Sequence, residues 1–436
     1  MAIPQRGWLL RAGGGSLAIR IGSLGLTTAS SVLFARALGV DGYGNYAMAI
    51  SVLTLIGIPV QMGLPTLVLR ETSTGSMTGR WGRVRGMWAW ATKRIAVSAL
   101  PSLFIGLAIA AAFCSQEAWL VALIGAPLVP LIALGRARDA ALRGLHKIIW
   151  GQLSDAIGRP LLTFLLIAAL WFFANGLVPV EQAMIVTVAA AAAAFVFGAL
   201  LLRRHSPEAI WHARPEQDSV AWKNAILPLA ALAGVQVASQ NLGIVIVGAL
   251  ADPTSVALFK IAQSANSLVI VGLGMVAMIV GPRIASLHAR GETAALQHLM
   301  ATGAVFSLAT MAPFVLILAL WGNPILTALY GAGYSGAFPL LMVLLAGQCV
   351  NAFFGAVVTL LNMTGNERIT LREMVAGTIV NLALTLALVP THGAMGAAIA
   401  SSIAMTVWNV MLWHRSRRVL GIDSTVFGFV AGRKTR

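Results

Sequence analysis

The stretch GGGSLAIRIGSLGLTTASSVLFARALG, Gly13 to Gly39, decides the fold class: it is a run of apolar and small residues long enough to cross a bilayer, with Arg20 inside it. A spanning helix needs roughly 20 mostly apolar residues at about 1.5 Å each. Working outward, runs of this kind recur between charged or Pro/Gly-rich breaks. They give twelve expected spans at about 15–38, 44–69, 95–114, 118–135, 153–174, 181–202, 223–250, 255–281, 300–321, 337–361, 371–389 and 394–413. Composition agrees. Of 436 residues 58% are hydrophobic and 10% charged, with mean hydropathy +0.85, and a water-soluble core of this size would leave large apolar areas exposed. The runs are too long for barrel strands and lack their period-2 alternation, so the expected class is an all-α integral membrane protein.

The net charge of +16 invites a nucleic-acid reading, but the placement of the charges argues for topology instead. Arg6 and Arg11 precede the first span, and Arg80, Arg83, Arg85, Lys93 and Arg94 lie between spans two and three. Basic clusters then follow every even-numbered span: Arg136, Arg138, Arg143 and Lys147, then Arg203, Arg204 and Arg214, then Arg283 and Arg290, then Arg368, and finally Arg415, Arg417 and Arg418. The intervening loops carry almost no positive charge. By the positive-inside rule both termini are expected in the cytoplasm of a multi-pass membrane protein, with membrane lipids as partners. No nucleic-acid module or interleaved aromatic platform accompanies the basic loops, so no nucleic acid is expected. The basic start lacks a separate apolar stretch with a small-residue cleavage site, and no removable signal peptide is expected.

Every loop is short, so any machinery must lie within the membrane. There is no Ser/His/Asp set, HExxH, Walker loop or strand-linked GxGxxG, and Cys114 and Cys349 show no metal or disulfide spacing. The expectation is a non-enzyme without cofactor or metal. The longest basic loop divides the chain into an N-terminal six-helix bundle (1–202), an inter-bundle linker (203–222), a C-terminal six-helix bundle (223–414) and a basic tail (415–436). The halves match in outline: ALGVDGYGNYAMAIS (37–51) with ALADPTSVALFKIAQS (249–264), and ALRGLHK (141–147) with LLNMTGNER (360–368). Six spans per half keep the halves in one orientation, which implies a parallel repeat and two pseudo-symmetric six-helix bundles around a central cavity.

ARALGVDGYGNYAMAISVLTLIGIPVQMGLPTLVLRE (35–71), VALFKIAQSANSLV (256–269), PRIASLHARGE (282–292) and LYGAGYSGAFPLLMVLLAG (329–347) resemble the polysaccharide-transporter branch of the multidrug/oligosaccharidyl-lipid/polysaccharide exporter superfamily, which includes the O-antigen (Wzx-type) flippases. The resemblance implies a flippase that moves an undecaprenyl-pyrophosphate-linked oligosaccharide (an O-antigen, capsule or exopolysaccharide unit) across the bacterial inner membrane, in association with polysaccharide polymerase machinery. A cation-coupled multidrug exporter of the same superfamily and a non-transporting scaffold of an envelope-polysaccharide complex stand as alternatives.

Arg20, Ser23, Thr27 and Ser31 fall on one face of a helix, and similar polar stripes recur. They comprise Gln236, Ser239 and Gln240; Lys260, Gln263, Ser264 and Ser267; Gln348, Asn351, Thr359 and Asn362; and Asn381 with Thr385. Arg20 and Lys260 are the expected cavity cations, without an acidic residue in near register, and an anionic pyrophosphate suits them. Ser23, Thr27, Gln236, Gln240, Gln263, Ser267, Gln348 and Asn351 complete the expected substrate site. Hydrogen bonding between helices and snorkelling of the two cations are the competing readings. Arg70 and Arg283 are expected anchors or headgroup-entry residues, and Asp155 with Arg159 an i,i+4 ion pair. Asp155, near a span edge, is the only carboxylate this reading places close to the membrane interior.

Overall fold

The computed structural model describes residues 6–174, 176–216 and 218–428, and every regular element among them is helical. The chain groups into two compact units, 1–241 and 242–436. The first unit contains α1 (Arg6–Gln61), α2 (Leu64–Thr78), α3 (Trp81–Phe113), α4 (Gln116–Ile124), α5 (Leu128–Gly144), α6 (Ile148–Gln152), a π-helical turn (Leu153–Gly158), α7 (Arg159–Ala174), α8 (Val180–His205), α9 (Glu208–His212) and most of α10 (Ser219–Leu250). The second contains α11 (Pro253–Ala289), α12 (Thr293–Tyr330), α13 (Ala337–Phe354), α14 (Val357–Met363) and α15 (Glu367–Leu420).

By length and composition, eight helices among the described residues can cross a membrane, or nine when α4 and α5, bent by 46°, count as one. The twelve expected runs and this number differ for a physical reason. Helix α1 carries two of the expected runs in 56 residues and α15 another two in 54. At about 1.5 Å per residue, a straight helix of that length would reach about 80 Å, against a hydrocarbon core of about 30 Å. Each is broken by one glycine in a conformation closed to other residues: Gly39 (φ 71°, ψ −178°) and Gly393 (φ 53°, ψ −135°). The arms of α1 are pinned across the break by a hydrogen bond between the hydroxyls of Ser31 and Tyr43 at 2.8 Å. Helix α11 adds only the shorter apolar stretch Val276–Ala289 to the described set.

Helix α3 shows why the faces need lipid. Val97, Leu100, Phe104 and Ile105 are exposed at helical spacing, while Val84, Met87, Ala91 and Ile95 are buried within the unit. Helix α4 is fastened to α1 through its cap: Ser115 accepts from the Ala118 amide and donates to Asn45, which in turn donates to Glu117 at 2.8 Å. In the second unit, Asp252 caps α11 by accepting from the Ser255 amide, ahead of Pro253 at the first helical position.

The two segments paired in sequence as 141–147 and 360–368 close in the same way. His146 (φ 61°) and Gly365 (φ 78°) take the left-handed conformation, and the next residue's amide reaches back five residues, Lys147 to the Leu142 carbonyl at 3.0 Å and Asn366 to the Leu361 carbonyl at 2.8 Å. Residues 208–216 and Asp218 dock on the start of α3. Ile210 is buried with Val84 and Leu145, Arg85 donates to the carbonyls of Trp211 and Ala213, the Glu216 amide donates to the Gly82 carbonyl, and Arg83 pairs with Asp218 at 3.4 Å.

Candidate functional site

The backbone of Arg20 lies in α1, but its side chain is outside the described residues. Further along the same stripe Ser23 is half-buried and Thr27 exposed, with the Thr27 hydroxyl donating to the Ser23 carbonyl at 2.7 Å. Gln236 and Gln240 are both exposed on α10. Arg70 is exposed and lies 3.4 Å from the Glu71 carboxylate, whereas Arg283, also exposed, has no ion pair among the described residues.

In the second unit Lys260, Gln263, Ser264 and Ser267 form a half-buried stripe on α11. The hydroxyls serve their own helix: Ser264 donates to the Lys260 carbonyl at 2.9 Å and Ser267 to the Ser264 carbonyl at 2.6 Å. No carboxylate among the described residues lies within ion-pair distance of Lys260. Six residues further along α11, Asn266 is buried with its Oδ1 unpartnered. A second polar group joins α13 to α15. Asn351 donates to Gln348 Oε1 at 3.2 Å and accepts from Asn409 at 3.1 Å, with Gln348 and Asn409 almost wholly buried. Asn409 was not singled out in the sequence; its signal was only its helical spacing from Met405, whose carbonyl it also binds. Thus Gln348 and Asn351 touch each other, and Lys260, Gln263 and Ser267 share a face.

The first unit holds a feature that sequence reasoning placed elsewhere. Arg138 was read as a loop charge after span four, and Asp139 was not singled out; the structure puts both in α5, 8% and 6% exposed. Arg138 donates through Nη1 to the Phe195 carbonyl and through Nη2 to Ser154 Oγ at 2.9 Å, with Asp139 Oδ1 farther off at 3.4 Å. Its guanidinium also lies over the Phe195 ring at 5.1 Å. Ser154 passes its own proton to the Ala194 carbonyl at 3.2 Å. The expected Asp155–Arg159 ion pair is present at 2.8 Å, on the π turn and the start of α7. Arg138, Ser154, Asp155, Arg159 and Phe195, together with Leu131, Ile132 and Gly135, line a small recess that opens to the surface. Small residues make the approach of α8 feasible: a Cβ at Gly198 would collide with Arg138 Cζ and Ser154 Oγ. Other carboxylates are more enclosed within the protein than Asp155. Asp139 is the more deeply buried, and Glu71 and Glu373 are enclosed as well, paired with Arg83 at 2.8 Å and Arg415 at 2.9 Å.

This helical architecture is that of a multi-pass membrane protein. An inward-facing multidrug resistance MATE family transporter of the MOP superfamily aligns with a TM-score of 0.74 at 15% identity, covering 94% of this chain and 96% of the other. The lipid II flippase MurJ in an inward closed conformation aligns with a TM-score of 0.68, also at 15% identity, covering 94% and 87%. An uncharacterised membrane protein of Methanocaldococcus jannaschii is 24% identical over 143 residues; the match takes in 33% of this chain but only 28% of that relative's length. The family model described as lipid II flippase MurJ matches residues 156–431, well over half of the chain. The chain belongs to this family, whose members are transporters and not enzymes.

Proposed function

We propose that this protein is a flippase that moves a polyprenyl-pyrophosphate-linked saccharide across the bacterial inner membrane by alternating access, with both termini in the cytoplasm. The observation that carries the reading is the family match over 156–431. Lipid II, the substrate in that family's description, is the expected cargo, in place of the O-antigen or capsule unit that the sequence resemblance implied. Counting each arm of α1 and α15 as its own crossing and adding α11 brings the nine apolar spans to twelve, in two six-helix halves; the matched turns at His146 and Gly365 support that repeat. Lys260, unpaired among the described residues and flanked by Gln263 and Ser267, is the group proposed to meet the pyrophosphate, with Arg20 as its counterpart in the first half. Ser23, Thr27, Gln236, Gln240, Gln348 and Asn351 would line the path, and Arg70 and Arg283 would guide the headgroup in.

Depleting the protein and identifying the lipid-linked saccharide that accumulates in the inner leaflet tests this. Lipid II is the expected species. A polysaccharide repeat unit would return the cargo to the O-antigen branch, and accumulation of neither would refute the flippase reading. One observation favours a second reading, a cation-coupled exporter: the buried carboxylate of Asp139, which such a mechanism could use. Increased sensitivity to cationic drugs on depletion, with normal lipid-linked precursors, would establish that alternative.

A further inference from the structure

In each unit the chain that leaves a long apolar helix folds back onto another helix of the same unit. After α8, residues 208–216 lie on the start of α3, against Gly82, Val84, Arg85 and Gly86. After α15, residues 421–428 lie on the early turns of α12 and the end of α13. Gln297 exchanges two 2.7 Å hydrogen bonds with the Asp423 backbone and donates to the Gly428 carbonyl at 3.1 Å, and the Val426 amide donates to the Phe353 carbonyl at 3.2 Å. Aromatic contacts close both segments, Trp88 with Trp211 at 6.1 Å between ring centres and Phe353 with Phe427 at 5.4 Å. Among the expected spans, α8 and the second arm of α15 are the sixth crossings of their halves, and α3 and α12 the third. On the proposed repeat the two clasps are equivalents.

They are not equally strong. Ile422, 2% exposed, is set in an apolar cluster drawn from α11, α12 and α14, with Val280, Ile284, Leu296 and Leu360 among its members. The Asp423 carboxylate accepts from Trp413 at 2.9 Å and from the Thr425 amide and hydroxyl at 3.0 and 2.7 Å. The clasp on α3 instead packs one buried side chain, Ile210, with Val84 and Leu145, and Trp211 is 42% exposed. Its polar anchors are open to water. Arg85 donates to the Trp211 and Ala213 carbonyls, and Arg83 reaches Asp218 at 3.4 Å while holding Glu71 at 2.8 Å. Water can replace such contacts, and few buried apolar contacts with exposed hydrogen bonds give a low free energy of local opening. The fit is close at one point, where a Cβ at Gly86 would collide with the Glu216 backbone. This clasp leads directly into α10, which Asp218 caps by accepting from the Ala221 amide at 3.4 Å. Helix α10 carries the chain from the first unit into the second after Asn241, so its displacement pulls on this clasp, whereas residues 421–428 tie together helices of one unit.

We propose that residues 208–216 form a releasable clasp on α3 that opens in each transport cycle, while its counterpart at 421–428 stays closed. Opening frees the Trp211 and Ala213 carbonyls from Arg85, lifts Ile210 off Val84 and lets Asp218 leave Arg83, whose pairing with Glu71 remains. The start of α10 is then no longer held to α3 through these residues. The place of this step in transport rests on the flippase reading; the difference in strength between the two clasps does not.

Hydrogen exchange on the purified full-length protein reads the clasps without transport. The hydrogen-bonded amides of 208–216 should be protected about tenfold less, or weaker still, than those of 421–428. Gly86→Ala should weaken protection of the first segment further and leave the second unchanged, because alanine favours the helix of α3 but takes the space of the Glu216 backbone. Equal protection of the two segments, or no response to Gly86→Ala, overturns the releasable clasp. The second measurement is flipping of fluorescent lipid II in proteoliposomes by protein carrying Cys114→Ala and Cys349→Ala, with cysteine pairs bridged by a reductant-cleavable bifunctional thiol reagent. Bridging Trp88→Cys to Trp211→Cys should stop flipping, with recovery on reduction, and bridging Phe353→Cys to Phe427→Cys should leave it unchanged. Arg83→Cys with Asp218→Cys places a second bridge at the other end of the first clasp and should act as the first does. Undiminished flipping with the first clasp bridged, or a halt on bridging the second, overturns the proposed step. Absence of flipping in the unbridged wild type refutes the flippase reading and leaves hydrogen exchange to decide the clasp.

Discussion

Replacing Lys260 with glutamine separates a ligand-binding cation from a membrane anchor. Lys260 is half-buried, seven residues in from Pro253 and so about 10 Å along α11, with no carboxylate partner among the described residues. A basic residue deep in a spanning helix is unfavourable by roughly 2.5–3.5 kcal/mol, so Lys260→Gln should leave insertion and folding intact or improved. Transport should fall all the same. A hydrogen bond to a charged group contributes about 1.5–3 kcal/mol, and at 1.4 kcal/mol per tenfold its loss weakens pyrophosphate binding by about 10- to 150-fold. Gln263 and the Ser264 carbonyl-bonded turn stay in place, so the loss is one of charge and not of local structure. Lys260→Arg should recover part of the activity, because the charge survives while its geometry changes. The assay is flipping of fluorescent lipid II per correctly inserted molecule, with saturation by substrate measured for each variant. A snorkelling anchor behaves in the opposite way: glutamine lowers insertion or expression while flipping per inserted molecule stays normal. Unchanged flipping in Lys260→Gln would refute the role given to this residue.

Two further outcomes follow from the same geometry. The Glu373–Arg415 pair is lopsided, with the glutamate side chain 2% exposed and the arginine 37%. Arg415→Ala strands a buried carboxylate and should lower stability by about 3 kcal/mol, whereas Glu373→Gln keeps a hydrogen bond and lets Arg415 reach water, so its effect should be about 1 kcal/mol; denaturation in detergent measures both, and equal losses would contradict this account. For topology, cysteine introduced at Ser335, in the uncharged turn before α13, should react with an impermeant thiol reagent in intact spheroplasts, and cysteine at Ser219 only after lysis; the reverse pattern would invert the orientation.

What could be read from the sequence and what could not divide along a physical line. Runs of apolar residues and their punctuation were legible because the bilayer imposes a length on every crossing, and because only glycine takes the conformations found at Gly39 and Gly393. The 141–147 and 360–368 turns were legible as a pair although one has histidine and the other glycine at the left-handed position, since both end a helix at the same step. Hydropathy, however, reports only whether a segment as a whole prefers lipid, and the segment from Arg136 to Gly144 does not. Its charges ended the expected span at residue 135, yet α5 continues to Gly144, because Ala137, Ala140 and Ala141 let neighbouring helices close over it while Gly198 leaves room for the guanidinium. Burial of Arg138 and Asp139 is thus decided by the small residues around them and by a helix some 60 residues later, a relation that no local window contains. The same reasoning explains why the stripes were only partly informative. Spacing places Gln348 and Asn351 on one face, but whether such amides face a ligand or join helices depends on Asn409, which approaches from another element and occupies Asn351. Lys260 is different in kind: its spacing put it among polar neighbours, and no ion-pair partner for it arrives from the described residues of any helix. A charge for which the described residues supply no counter-charge is most simply completed by an anionic ligand, and that is why the substitution at Lys260 tests the proposed function more sharply than one at any of the paired cations.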